Sequence, residues 1–329
     1  MIAVRPTNHH AGAMEGAGVV PASSSKPSLP SLQSFCKSDS SINPQDAATT
    51  SKEAQRAMTI TGRPYLSWSQ VASYSLCPKA FEFRYVIKES PDFVPSSLVF
   101  GTAFHEAVAL ITQADLEGAP RPATADLVAG VSQHLRAGET PLRLGKGESL
   151  ESLAGLATRM LDAYAASPES HLQGSAICIE DSSRGSLRPD LPPIEARTDL
   201  VYRRPDGSIA IRDVKTTRTK WSASKVAEAA PQLRLYRALL DVELKGLGKV
   251  DHLEFLTVTK AARPVVAVHA IPSAEVHASS GPLAEQIHAV WHGISSGVFP
   301  ARPGWPCKTC PFASKCPAAI KSEEGSHGE

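Results

Sequence analysis

The sequence has no long apolar run and almost no net charge. None of its hydrophobic stretches approaches the roughly 20 residues that a membrane-spanning helix needs. It also lacks the charged start and apolar stretch of a secretory signal, so we expect a cytoplasmic protein. With 34 basic against 33 acidic residues, the total charge gives no argument for a nucleic-acid partner. The phosphate-binding GxxxxGK[ST] loop is absent as well, so nothing in the sequence predicts a nucleotide-driven motor.

The first 61 residues differ in composition from the rest. They are rich in Ser, Pro, Ala and Gly and have no helical or strand period, which is typical of disorder. We therefore predict a disordered tail over 1–61, one globular domain over 62–320 and a flexible tail over 321–329. In the domain, helical patterns precede strand-like stretches, one long helix, two more strands and another helix. This order predicts an α/β fold with a mixed central sheet and an N-terminal helical lobe.

Three helix starts are specific predictions. Residues 67–70, Ser-Trp-Ser-Gln, fit a capping box at the start of a short helix. Residues 101–102, Gly-Thr, are predicted to precede a helix that leaves His105 beside its apolar face. Ser273 is predicted to cap a final long helix that extends to about Ser295.

Two acid-bearing strands are the most informative feature of the chain. Residues 198–202 and 211–217 flank a Pro-Asp-Gly turn, a pattern that predicts a β-hairpin. A hairpin can bring Asp199 beside Asp213, and strand alternation puts Asp213 and Lys215 on one face. Carboxylates are hard oxygen ligands for Mg²⁺, and a lysine can orient or deprotonate a water. The strands therefore predict metal-assisted phosphodiester cleavage.

Basic residues are concentrated in and after the second strand of this hairpin. They are Arg212, Lys215, Arg218, Lys220, Lys225, Arg234 and Arg237. A basic surface beside bound metal would form a path for phosphates. The alternative is a solvated, charged helix face, which would be favoured if the run stood alone.

Four of the six cysteines form a candidate metal site. Cys307, Cys310 and Cys316 have the spacing C-x₂-C-x₅-C, and Cys77 is the best fourth ligand. A disulfide framework is disfavoured, because the chain is large enough to fold without one and has no secretion signal. Structural zinc and an iron–sulfur cluster both suit four thiolates. On spacing alone the two remain open.

Six short motifs together resemble a known family. In chain order they are 66–69 with 74–78, 101–105, Asp199, 213–215, 232–236 and the C-terminal cysteines. The chain resembles the PD-(D/E)XK nuclease superfamily, in particular the RecB-like branch that carries a four-cysteine iron–sulfur cluster and includes the AddB nuclease domain. The resemblance runs from about Leu66 to Pro317. It implies a restriction-endonuclease-like core. Where the family usually has Gly three residues before the first Asp, this chain has Ala196.

The resemblance assigns a role to each candidate residue. It implies metal binding by His105, Asp199, Asp213 and the main-chain carbonyl of Val214. It implies that Lys215 is the catalytic lysine and that Gln232 and Tyr236 are the Q-x₃-Y pair, which holds the lysine or a substrate phosphate. It implies that Cys77, Cys307, Cys310 and Cys316 bind a [4Fe-4S] cluster, with structural Zn²⁺ as the alternative. Without the resemblance to this family, His105 would be interpreted as a structural residue, and Gln232 with Tyr236 as a packed pair on one helix face.

These residues predict a Mg²⁺- or Mn²⁺-dependent deoxyribonuclease. We expect an exonuclease that acts on single strands or DNA ends in repair, recombination or DNA processing, with a helicase subunit as a candidate partner. The alternative is a DNA-binding accessory subunit of a helicase–nuclease complex, which has the metal–cysteine site and no catalysis of its own.

Overall fold

The computed structural model describes residues 51–319 except Lys245. The helices are α1 (Lys52–Thr61), α2 (Trp68–Leu76), α3 (Pro78–Phe81), α4 (Ser96–Glu117), α5 (Thr124–Arg136), α6 (Leu150–Ala166), α7 (Ala223–Glu243), α8 (Ser273–Val276) and α9 (Gly281–Ser295). The strands are β1 (Leu66–Ser67), β2 (Val94–Pro95), β3 (Leu142–Arg143), β4 (Ser175–Gly185), β5 (Ile194–Arg203), β6 (Ile209–Thr217), β7 (Val250–Thr259) and β8 (Val266–Ala270). A π-helical turn (Glu82–Ile87) and 3₁₀ turns (Pro168–Ser170, Trp305–Thr309, Ala313–Lys315) complete the described elements.

A mixed sheet forms the centre of the domain. Its order is β1-β5-β6-β7-β8, with β4 also paired to β5. The pairs β4–β5, β5–β6 and β7–β8 are antiparallel, whereas β1–β5 and β6–β7 are parallel. The predicted hairpin is present as β5–β6, and its turn contains Gly207 with a φ of 86°. The predicted mixed α/β fold is confirmed.

Helices cover both faces of this sheet. Leu253 and Phe255 of β7 pack into the apolar cluster that includes α2, α7 and α9. Leu256 and Val258 of the same strand pack into the cluster formed with α4, α5 and α6. Strand side chains alternate between faces, so a strand buried on both sides needs apolar residues at successive positions. The helices α4, α5 and α6 thus pack directly on one face of the sheet and form one of the two helical layers that cover it.

Three predicted boundaries are wrong. Residues 51–61, predicted as disordered, contain α1, because Ser51 caps it and Ala54 and Ala57 are fully buried. The rest of that tail, and residues 320–329, lie outside the described residues. Residues 101–102 lie inside α4, which begins at Ser96. The predicted final helix is two helices, α8 and α9. A new helix begins at Gly281, because the proline that follows it favours the first turn of a helix.

Across residues 51–319, Lys245 aside, no helix has the combination of length and apolar character that crossing a bilayer requires.

Candidate active site

The candidate site lies where β5 and β6 part. Their ladder runs from Arg203–Ile209 to Leu200–Arg212 and ends there. Just beyond the last pair, the Asp199 carboxylate takes the place of a backbone partner for Val214. Its Oδ2 accepts a hydrogen bond from the Val214 N–H at 2.7 Å. The side chain therefore satisfies a backbone donor that the ladder leaves unpaired. This bond holds the hairpin open at the position of the two acids.

A cleft of about 810 Å³ opens at this point. The predicted side chains that line it are His105, Asp199, Asp213, Lys215, Gln232 and Tyr236. They come from α4, β5, β6 and α7. The fold therefore brings together the predicted catalytic side chains from four separate elements.

Three ligand atoms in the cleft are close enough to share one cation. Atoms of His105, Glu180 and Asp199 all lie within 4.8 Å of one another. Glu180, on β4, was not predicted, and Asp213 is not in this group. An imidazole with two carboxylates suits a divalent ion such as Mg²⁺ or Mn²⁺. The signal that could have found Glu180 is an acidic residue in a strand, because strands contain few acidic residues.

Neighbouring charges raise the pKa of two members of this group and lower that of the third. Burial alone would lower the pKa of His105, but the hydrogen bond and charge of Asp199, whose Oδ2 is 3.3 Å from Nδ1, outweigh it and raise that pKa. Burial would raise the pKa of Asp199, and the same histidine holds it below its usual value. Burial, followed by the Asp199 charge, raises the pKa of Glu180. Two adjacent carboxylates in one buried site thus repel each other, which a bound cation would relieve.

Asp213 is the most constrained acid of the cleft. Its side chain is only 4% exposed, its Oδ1 accepts a 3.1 Å hydrogen bond from Gln232, and its Oδ2 lies 2.7 Å from Lys215 Nζ. Among the residues described, no donor other than this lysine reaches Oδ2. Burial and the nearby Asp199 charge raise the pKa of Asp213 to about 6. A buried oxygen with an unused lone pair beside the cleft fits a metal ligand.

The Q-x₃-Y pair lies on one face of α7 but does not contact the lysine. Gln232 Nε2 donates to Asp213 and also lies 3.0 Å from the Tyr236 hydroxyl. Burial raises the pKa of Tyr236 to about 12, so its hydroxyl stays protonated. The pair therefore positions the acid, and in this structure it does not hold Lys215.

The predicted basic surface does not form as one surface. Arg212 is buried and paired with Glu254 at 2.7 Å, and Arg237 pairs with Asp241 at 2.9 Å. These two arginines are engaged in ion pairs and largely shielded from solvent, so they do not join an exposed basic path. Arg63 and Arg197 line the cleft instead, and neither was predicted.

The family's glycine position also has a simple structural account here. Ala196 is fully buried in the apolar cluster below the sheet. It pairs with Ser183, whereas the neighbouring pair Ser182–Arg197 faces the other way. The methyl group therefore points into the core and does not approach the cleft.

The four predicted cysteines line one small apolar cavity. Cys77 lies at the junction of α2 and α3, and Cys307, Cys310 and Cys316 lie in the C-terminal 3₁₀ turns. None of the four forms a disulfide. Burial, and then the three neighbouring cysteines, raises the pKa of the Cys310 thiol.

The spacing of these sulfur atoms bears on the kind of metal site. Within the described part of the chain, no three of them lie within 4.8 Å of one another, unlike the ligand atoms of the cleft. Tetrahedral zinc, with bonds of about 2.3 Å, would bring its sulfur ligands to about 3.8 Å. Zinc and an iron–sulfur cluster both take four thiolates and differ in the sulfur separation that they impose.

Comparisons with known proteins match the chain to one family. A family model described as the PD-(D/E)XK nuclease superfamily matches residues 65–317. Among solved structures, a protein of Eubacterium rectale described as a candidate exonuclease is 12% identical with a TM-score of 0.47, over 83% of this chain and 91% of that one. The structure of SSO0001 is 13% identical with a TM-score of 0.31, over 70% and 88%. No curated protein matches the chain.

Proposed function

Because the chain belongs to the PD-(D/E)XK nuclease superfamily, we propose that it is a Mg²⁺- or Mn²⁺-dependent exonuclease that hydrolyses DNA single strands or DNA ends. The observation that carries the proposal is the cleft itself, where His105, Asp199, Asp213 and Lys215 meet.

The acids and the imidazole would hold the metal. His105 and Asp199 supply ligand atoms within 4.8 Å of each other, and Asp213 Oδ2, which lies 2.7 Å from Lys215 Nζ, is the proposed third ligand from the cleft side. The Val214 carbonyl is a further proposed ligand. A bound divalent ion would supply charge stabilisation for the attacking and leaving oxygens.

Lys215 is proposed as the catalytic lysine. Its ammonium is 30% exposed and lies on the cleft wall, 2.7 Å from Asp213. From there it can orient a water toward phosphorus and offset the developing negative charge. Gln232 keeps Asp213 in place for this pairing, and Tyr236 contacts the Gln232 amide.

The cleavage test compares four proteins on a labelled single-stranded oligonucleotide with Mg²⁺ or Mn²⁺. We expect Lys215→Ala and Asp213→Ala to lose activity by at least about 10²-fold, the size typical of a lost catalytic group. Lys220→Ala is the matched control, since Lys220 is an exposed lysine five residues further on. Unchanged cleavage by Lys215→Ala or Asp213→Ala would reject the catalytic assignment. A circular single strand that is cut as fast as a linear one would reject the exonuclease.

We also propose that the four cysteines hold a [4Fe-4S] cluster and not structural Zn²⁺. The meeting of all four cysteines at one cavity and its apolar lining, which includes Phe83 and Phe312, support it. Anaerobically purified protein should be brown, with a broad absorption near the blue end of the spectrum. Colourless protein with stoichiometric zinc would overturn this part and leave the nuclease proposal intact.

A non-catalytic DNA-binding subunit is the competing function. Purified protein that binds single strands and never cuts them would favour it. Under either function a helicase subunit is a fitting cytoplasmic partner, because this chain has no phosphate-binding loop with which to unwind DNA. A role in DNA repair or processing is part of the same proposal.

A further inference from the structure

Glu180 belongs to two groups of charges at once. Its Oε2 is 3.2 Å from Arg197 Nη2 in an ion pair. Its carboxylate is also part of the ligand group with His105 and Asp199. The Glu180 side chain is only 11% exposed, whereas Arg197 is 71% exposed and lines the cleft. One partner of the ion pair is therefore fixed in the site, and the other can move toward substrate.

The backbone of Glu180 is held in an unusual conformation. Its φ is +46°, which a residue with a side chain adopts only at a cost in free energy. The flanking pairs Ile179–Leu200 and Asp181–Thr198 place it directly opposite Asp199. The strained conformation thus accompanies a carboxylate that faces the proposed metal ligand across the ladder.

A second glutamate–arginine pair lies on the same two strands and serves as a reference for the first. Arg184 and Glu195 also line up across β4 and β5, with Nη2 2.9 Å from Oε1. Arg184 is 49% exposed and Glu195 lines the cleft. Glu195 is not in the ligand group. Both pairs bridge β4 and β5, with the glutamate on β4 in the first pair and on β5 in the second, and only the first glutamate belongs to the ligand group.

We propose that Glu180 is a metal-dependent switch that releases Arg197 to bind a phosphate of the substrate strand. The inference rests on the proposed function and deepens it. A divalent ion among His105, Glu180 and Asp199 would attract the carboxylate and repel the guanidinium. Because exposed ion pairs are weak, the ion outcompetes Arg197 for Glu180. The freed guanidinium then offers two donors to a phosphate at the cleft wall. Metal binding therefore precedes tight binding of DNA.

The first test measures Mn²⁺ affinity by calorimetry, with no DNA present. Glu180→Gln should weaken Mn²⁺ binding at least about tenfold, because a charged oxygen ligand is lost. Glu195→Gln removes the same charge from the other pair and should stay within about twofold of wild type. Arg197→Ala should bind Mn²⁺ about two- to fivefold more tightly, since it removes the competitor. Arg184→Ala should leave the affinity unchanged.

The second test measures binding of a labelled single-stranded oligonucleotide by fluorescence anisotropy, with Ca²⁺ or with chelator. Ca²⁺ takes the same class of oxygen ligands. Ca²⁺ should increase the DNA affinity of the wild-type protein. In Arg197→Ala, this increase should be about three- to tenfold smaller. Arg184→Ala should weaken binding equally with and without Ca²⁺. Glu180→Gln should bind DNA more tightly than wild type in chelator and gain little from Ca²⁺.

Two results would overturn the switch. One is equal Mn²⁺ affinity for Glu180→Gln and Glu195→Gln. The other is an equal response to Ca²⁺ for Arg197→Ala and Arg184→Ala. Thermal unfolding checks that each variant folds, and the exposed Arg197→Ala and Arg184→Ala proteins keep the test decisive if Glu180→Gln does not fold. Wild-type protein that never cuts DNA would reject the proposed function, whereas the calorimetric result would still decide whether Glu180 binds metal.

Discussion

The candidate cleft and the cysteine cavity are built in opposite ways. In the cleft, each acid already has a protein partner: Asp199 binds Val214 and His105, and Asp213 binds Gln232 and Lys215. The hairpin that carries both acids is local in sequence. The cysteine cavity joins Cys77 to residues 307–316, at opposite ends of the domain. The cleft should therefore keep its shape without an ion, whereas the cavity should depend on what its thiolates bind.

Loss of Cys77 is the largest stability effect that this comparison predicts. Cys77→Ser should lower the free energy of unfolding by on the order of 3 kcal/mol, because a link that closes a very long loop is broken. Hydrogen bonds such as Lys79 N–H to Pro300 also attach the C-terminal segment, so complete unfolding is not expected. Urea unfolding of anaerobically prepared protein measures the difference. Thr102→Ala, at an exposed position of the cleft, should change it by less than about 0.5 kcal/mol, as expected for an exposed uncharged side chain. Equal losses in the two variants would contradict the comparison.

Removal of the Asp213 charge should stabilise the metal-free protein. The pKa of Asp213 is raised from 3.8 to about 6, so ionising it in the folded state is unfavourable. Stability from the protonated acid is complete below pH 3.8 and is lost as the pH rises through about 6. In chelator at pH 8, Asp213→Asn should therefore gain up to about 3 kcal/mol.

This gain has a defined pH window. It should disappear below about pH 4, where both states bind the proton. Asp126→Asn is the matched control, since Asp126 is an exposed acid in the first turn of α5. Urea titrations at pH 4 and pH 8 measure the gain. A destabilised Asp213→Asn protein at pH 8 would mean that the Lys215 and Gln232 contacts outweigh burial.

The smallest predicted effect concerns the helix that connects the two regions. The α2 helix begins beside the cleft at Ser67, which forms a capping box with Gln70, and it ends at Cys77. Ser67→Ala should lower the free energy of unfolding by about 1 kcal/mol through loss of the cap. It should also slow cleavage, because Ser67 lines the cleft. Ser149→Ala removes the same kind of capping box from α6, and should cost similar stability without changing cleavage. Identical cleavage by the two variants would show that the start of α2 does not matter to the cleft.

Much of the candidate site could be predicted from local sequence. A strand period of two placed Asp213 and Lys215 on one face, and both line the cleft. A helical spacing of four placed Gln232 with Tyr236, which are in contact. Both predictions depend on residues that are close along the chain, where backbone geometry alone decides the direction of a side chain.

Composition was a weaker guide. It assigned residues 51–61 to a disordered tail, but three small buried residues at helical spacing are enough to dock α1 on the domain. The basic run after the hairpin was predicted as one surface, and Arg212 and Arg237 instead form ion pairs in which their side chains are only 11% and 18% exposed. Charge counted along a sequence does not say which side chains the fold turns inward.

The sequence by itself determined the hairpin, its two acids and its lysine, because a turn and a period of two are short-range properties. It also determined which cysteines were candidates for one site. Only the tertiary structure decided that Glu180 faces Asp199 and that Arg197 reaches the cleft. Both depend on the register between β4 and β5, where a shift of one residue would turn every side chain to the other face. That register is set by packing across the whole sheet, and no local pattern encodes it.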